Sequence, residues 1–266
     1  MKNTGLRFFC ALCLICIISF LTNNQASAQP AGTSNFLSNI KSYNLASLWH
    51  ADRLKVIDMK EMQSFPEPLG IVGKNCQRFY IHYSSVVKYP TSPYKYKVLG
   101  KTRVGNQVRQ ITGTITIIQA GIYKPGNNPY APEPHKGYRR GKVVSHIVIN
   151  ENGSTAATGN ITGEMTTEFC IDAKNNLFYD TLDFGIDGYS NNQFTGTWTA
   201  HGSKFAQPLK YGDFSFQDDR FADTYGITVP PEFQKYGWMS YVDAISDDFS
   251  PASKAAIAEE KRQWWK

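Results

Sequence analysis

From Gln77 onward the chain alternates. Phe79, Ile81 and Tyr83 interleave with Arg78, Tyr80 and His82. Tyr94, Tyr96 and Val98 interleave with Lys95, Lys97 and Leu99, and Ile111, Gly113, Ile115 and Ile117 with Gln110, Thr112, Thr114 and Thr116. Val143, Ile147 and Ile149 continue the pattern, as do Ile161, Met165, Phe169 and Ile171. Phe178, Leu182, Phe184 and Ile186 follow, and last Phe194, Trp198 and Ala200. A repeat of two predicts strands with one buried face and one wetter face.

Turn residues allow the registers to be tested. A two-residue turn at Gly105-Asn106 puts Val98 opposite Gly113, Tyr96 opposite Ile115 and Tyr94 opposite Ile117. Lys97 then meets Thr114 on the other face, and a slip of one residue destroys this agreement. A three-residue turn at Asn152-Gly153-Ser154 puts Ile149 opposite Ala157, Ile147 opposite Gly159 and Val143 opposite Gly163. Asn175-Asn176 gives Phe169 opposite Leu182 and Met165 opposite Ile186. The loop 187–191 then gives Phe184 opposite Phe194 and Leu182 opposite Gly196.

Successive strands joined in this way form an antiparallel up-and-down meander. Exposed sheet edges are a liability, so the expected fold is all-β, a barrel of about eight strands. "LKVID" or "KFAQPLKYGDFSF" supplies the eighth strand, and "FPEPLGIVGKN" reads as a loop. The run 123–142, rich in Pro and Gly, is expected to be a surface insert. Inward glycines at 113, 159, 163 and 196 are expected to let the sheet coil while bulkier neighbours fill the space.

Residues 250–266 read as a C-terminal helix, with Ser250 as N-cap and Pro251 in the first turn. The barrel-like domain then spans 48–249, preceded by a flexible lead-in over 29–47. Residues 1–28 combine a basic start, an apolar run from Phe8 to Leu21 and the small-residue pattern Ala26-Ser27-Ala28. This is the plan of a secretory signal peptide cleaved near Ala28. The run is too short for a membrane span, so the processed chain is expected in the periplasm or at the cell surface with no transmembrane segment.

Cleavage removes Lys2 and Arg7, lowering the formal net charge from +6 to +4. That mild charge has none of the clustered basic character of a nucleic-acid-binding domain. Three of the five cysteines leave with the signal. Cys76 and Cys170 remain, either as a disulfide or as two separate thiols.

The chemistry-bearing residues form no known catalytic signature. The five histidines are scattered, without HExxH, and no GxSxG occurs. "DFGIDG" matches a kinase motif in letters only, and the acidic stretches "DFSFQDDRFAD" and "SDDFS" lack calcium-loop spacing. No metal or cofactor is expected.

The aromatic inward face either lines a cavity for a small apolar or planar ligand or is packed core. Candidate ligand-binding residues are Tyr94, Tyr96, Phe194 and Trp198, with Asp180 and Arg109 on the same face. Asp180 is either a buried, partnered carboxylate or a solvated rim residue. Outside, Lys95, Lys97, Lys101 and Arg103, with the basic "HKGYRRGK", offer a surface for an anionic glycan, a lipid headgroup or a protein partner, or simply a solvated, edge-protecting face. The expected function is extracytoplasmic ligand binding. The alternative is a hydrolase using two dispersed carboxylates, which leave no local motif.

The segments "FPEPLGIVGKNCQRFYIHY", "YKVLGKTRVGNQVRQITGTITI", "DGYSNNQFTGTWT" and "PEFQKYGWMSY" together resemble a group of secreted β-rich proteins of Bacteroidota. The resemblance covers most of residues 65–241 and implies a secreted bacterial protein without assigning a catalytic residue. Gly196-Thr197-Trp198 also resembles the glycine-x-tryptophan of lipocalin-like barrels, where it opens the barrel. Here it falls on a late strand.

Overall fold

The computed structural model describes residues 29–57, 59–128, 135–154, 157–223, 226–246 and 250–266. Residues 1–28, where a signal peptide is expected, lie outside the described residues. Eight strands form a closed antiparallel ring: β1 Leu69–Val72, β2 Gln77–Lys88, β3 Lys95–Val104, β4 Gln107–Tyr123, β5 Tyr138–Glu151, β6 Gly159–Asp172, β7 Asn191–Ala200 and β8 Ala206–Asp213. Each pairs with the next along the chain. β8 returns to β1 through Leu209 opposite Val72 and Tyr211 opposite Gly70. Short strands Thr33–Asn35 and Leu177–Tyr179 extend the ends of β4 and β6.

The β3–β4 hairpin has the expected register, with Val98 opposite Gly113 and Tyr96 opposite Ile115. The β5–β6 hairpin differs: Ile149 pairs with Ile161, Ile147 with Gly163 and Val143 with Thr167. This slide of four residues is even, so every side chain keeps its expected face. Its cause is Glu151, which continues β5 and binds the Gly159 amide at 2.9 Å. The connection therefore needs more than three residues.

The ring strands also differ from those expected. "LGIV", read as loop, is β1, whereas 206–213, within one of the two segments expected to supply an eighth strand, is β8. "LKVID" contributes only to a small hairpin, Arg53–Val56 with Glu61–Ser64. The stretch from Phe178 to Ile186 is not a ring strand. After Leu177–Tyr179 the chain turns, with the Asp180 carboxylate accepting from Leu182 N–H at 3.1 Å. Phe169 therefore faces Tyr179 rather than Leu182. β7 pairs directly with β6, placing Phe194 opposite Met165, Gly196 opposite Gly163 and Trp198 opposite Ile161.

Gly196 makes room for a neighbouring ring. A Cβ there would lie 2.6 Å from Phe194 Cζ and 2.2 Å from the Thr162 carbonyl oxygen, and a Cβ at Gly163 would lie 2.7 Å from the same Cζ. Phe194 fills this space and stacks on Tyr211 with ring centroids 4.5 Å apart.

Phe79, Tyr96, Phe169, Phe194 and Tyr211 fill the ring axis, all fully buried. Residues 36–49, with 36–47 expected in a flexible lead-in, pack against the same core. Ile40, Leu45 and Leu48 are inaccessible to solvent. The Tyr96 hydroxyl oxygen accepts from Leu45 N–H at 3.1 Å, and Trp49 donates its indole N–H to Thr167 at 2.9 Å.

A second apolar cluster, with Trp238, Phe221, Phe216 and Cys76, lies around Ile71 of β1. Helix α1, Met239–Ser246, and helix α2, Pro251–Glu260, follow. Ser250 caps α2 as expected, accepting from Ser253 N–H. Among the described residues no helix is long and apolar enough to cross a membrane.

Candidate functional site

The six candidate residues do not form one site. Tyr96 and Phe194 are core, and Tyr94 packs partly buried against them. Trp198 and Arg109 meet at Glu151. The Trp198 indole donates to Oε2 at 2.9 Å, and Arg109 Nε lies 3.9 Å from the same oxygen. Asp180 is elsewhere and is buried, not a solvated rim residue. Its partner is Arg140, whose Nε donates at 2.6 Å and whose Nη1 donates to Asp183. Burial raises the Asp180 pKa while Arg140 opposes the rise. Cys76 and Cys170 are free buried thiols in separate apolar clusters.

The groups that converge on open space are different ones. A cavity of about 780 Å³ lies where β1 begins and β8 ends, walled by residues 49–52, residues 64–68 and the C-terminal residues 260–266. None of the six candidates lines it. Asp213, Tyr211, Tyr83 and Asn192 line its ring side, Glu67 and His82 its flank, and Trp264 and Trp265 its outer wall.

Local structure explains how these residues arrive. Leu209, Tyr211 and Asp213 alternate along β8, so the carboxyl follows two core residues onto the inner face. β7 carries a register shift between Asn191 and Phe194 against β8, the kind of bulge that re-aims a side chain. There Asn192 adopts φ 49°, a conformation asparagine tolerates better than most residues.

Asn192 Nδ2 donates to Asp213 Oδ2 at 2.7 Å, and the Tyr179 hydroxyl donates to the same oxygen at 2.9 Å. Thr167 fixes Asn192 from behind, donating to its Oδ1 at 2.7 Å. Next to the carboxyl, the Tyr83 and Tyr211 hydroxyls share a hydrogen bond of 2.7 Å.

Burial pushes the Asp213 pKa up to about 8, against the two hydrogen bonds that favour the anion. Its proton is therefore held at neutral pH. Burial also raises Tyr83 and Tyr211, leaving both hydroxyls protonated. Glu67 Oε1 lies 2.9 Å from His82 Nδ1. Burial raises this carboxyl, while the histidine bond and charge favour its anion. The His82 ring stacks on Trp265, with centroids 4.1 Å apart and planes within 9°.

The outer wall is anchored from the ring. Arg78 donates to both carboxylate oxygens of Glu260, at 2.8 and 2.5 Å, and Arg103 lies 3.2 Å from Glu259. Both guanidinium groups sit over Tyr80.

The sequence pattern marks Tyr83 as an inward residue and Asp213 only as one of an acidic run. The alternation of "PLKYGD" is the signal that marks Asp213 as inward. Nothing local marks Glu67, Asn192 or Trp265.

The fold and site together define a closed eight-stranded antiparallel ring with a filled axis and a polar, aromatic cavity at one end. No protein-family model, curated protein or solved structure matches the chain.

Proposed function

We propose that this chain is an extracytoplasmic binding protein whose ligand, a small hydroxyl-rich ring compound of the glycan class, sits in the end cavity. The carrying observation is the convergence of Asp213, the Tyr83–Tyr211 pair and Glu67–His82 on one cavity with aromatic walls. Its volume suits a small ligand, and its wall sets converging polar and charged groups beside aromatic faces, the combination that orients a ligand rich in hydroxyls. Protonated Asp213 and the tyrosines offer donors, Glu67 offers an acceptor, and Trp49, Phe65 and Trp265 offer faces for the C–H side of a sugar ring. The filled axis favours this cavity over the centre of the ring as the ligand's place.

The test is native mass spectrometry of the processed chain, secreted by a bacterial host and purified without detergent, with calorimetric titration of mono- and oligosaccharides. A discrete added mass lost on denaturation, or saturable heat, is expected. Tyr211→Phe should weaken binding about tenfold, as loss of one good hydrogen bond does. A clean mass and no heat with any glycan overturn the proposal.

A further inference from the structure

The two carboxyl groups of the cavity stand in unlike surroundings. Asp213 is 1 % exposed. Its Oδ2 takes both of the hydrogen bonds described above, and its Oδ1 takes none among the described residues. Glu67 stands at the open flank, its side chain 37 % exposed and bonded to His82. The fold thus holds one carboxyl dry, with an idle oxygen, and the other wet and beside a histidine. Burial raises both carboxyls, but only Glu67 has a histidine whose hydrogen bond and charge favour the anion, which suits Asp213 to the role of proton donor and Glu67 to that of anion.

Resting on the binding reading above, we infer that the cavity hydrolyses a glycosidic bond, with Asp213 as general acid and Glu67 as general base. An acetal requires little else: a proton for the departing oxygen, an anion on the other side of the ring, and an enclosed place to sit. In the step, a water oxygen bonds to the anomeric carbon as that carbon's bond to the glycosidic oxygen breaks. The proton on Asp213 Oδ1 passes to the leaving oxygen, and Glu67 takes a proton from the attacking water. Exchange with solvent returns both groups to their starting states. The high pKa of Asp213 supports this assignment, because the acid is still loaded at neutral pH. Asn192 and Tyr179 are positioning residues, fixing Oδ2 so that Oδ1 carries the proton.

The experiment measures release of 4-nitrophenol from a panel of α- and β-linked 4-nitrophenyl glycosides, and of reducing ends from polysaccharides, by the processed chain. The same panel is titrated calorimetrically. Turnover is expected, with an alkaline limb near pH 8. Asp213→Asn should lower kcat at least a hundredfold, while binding by calorimetry weakens by no more than the about tenfold that one ligand hydrogen bond accounts for and the far-UV spectrum is unchanged. Glu67→Gln, nearer the surface, should lower kcat comparably and serves if Asp213→Asn fails to fold. Binding without turnover by the wild-type chain overturns this inference and leaves the binding reading standing. Neither binding nor turnover overturns both. Turnover that both variants retain overturns the assignment of acid and base.

Discussion

Asp213 makes stability fall as pH rises, which is the reverse of what a salt-bridged carboxylate does. In the unfolded chain this group ionises near its ordinary value of 3.8, whereas the folded chain holds the proton to about 8. Between those values the native state binds one proton more than the unfolded state. Stability then declines by about 1.4 kcal/mol for each pH unit. From pH 5 to 8 the loss from Asp213 is roughly 3–4 kcal/mol, a large share of the ~5–15 kcal/mol of a typical domain.

Glu168, pushed up to about 7 by burial, adds to the decline with the same sign below pH 7. Asp213→Asn isolates the first contribution. The amide oxygen still accepts from Tyr179 and Asn192, and no proton remains to be lost. The variant should be within about 1 kcal/mol of wild type at pH 5 and clearly the more stable at pH 8. Urea unfolding followed by tryptophan fluorescence at pH 5, 6, 7 and 8 measures both slopes. Parallel profiles, or a wild type that gains stability toward pH 8, would refute the buried, protonated assignment.

Gly196→Ala should destabilise by about 1–3 kcal/mol, the usual cost of overpacking, since its Cβ meets both Phe194 and a fixed carbonyl oxygen; the urea midpoint reads this directly. Cys76 and Cys170 should be unreactive to a thiol reagent in the native chain and both reactive in denaturant, because both are buried and free; native electrophoresis under non-reducing conditions should show no cross-linked species to account for missing thiols. Arg78→Ala should cost about 3 kcal/mol, as breaking a buried pair does, since Arg78 is almost fully buried and also stacks on Trp238 and Tyr241. Trp265→Ala, which strips one face of His82, should shift the midpoint by less than about 1 kcal/mol yet weaken any glycan that the wild type binds; unchanged affinity would remove Trp265 from the ligand wall.

The strands that the sequence revealed are those whose partner is the next strand and whose turn is short. β3 and β4 needed only Gly105-Asn106 and alternating residues. The β5–β6 register went astray because Glu151 binds the amide of Gly159 across the loop, a contact that periodicity does not encode. The Phe178–Ile186 stretch misled for another reason. Its apolar residues pack a turn held by Asp180, and an ion pair with Arg140 can bury a carboxylate as effectively as a strand buries a side chain. β1 was hidden because four residues between Pro68 and Gly73 look like a loop until β8 is found to need a partner. The cavity was hidden more thoroughly. Glu67, His82, Asn192, Asp213 and Trp265 come from separate segments, and only ring closure and the returning C-terminal chain bring them together.

The two ends of the ring show why Asp213 differs from an ordinary buried acid. Glu151, at the opposite end, accepts from Thr102 at 2.6 Å, from the Gly159 amide at 2.9 Å and from Trp198 at 2.9 Å, with Arg109 nearby. Both its oxygens are engaged, and its work is to tie β3, β5, β6 and β7 together. Asp180 likewise has a guanidinium at 2.6 Å. Among the described residues Asp213 has neither an ion-pair partner nor a donor for Oδ1, whereas both oxygens of Glu151 and of Asp180 are engaged. An asparagine or leucine in its place would cost the ring less at neutral pH, since burying a carboxyl without a charge partner is unfavourable. A group kept at such a cost, with one oxygen idle and open space beside it, is better explained by what enters the cavity than by what holds the ring together.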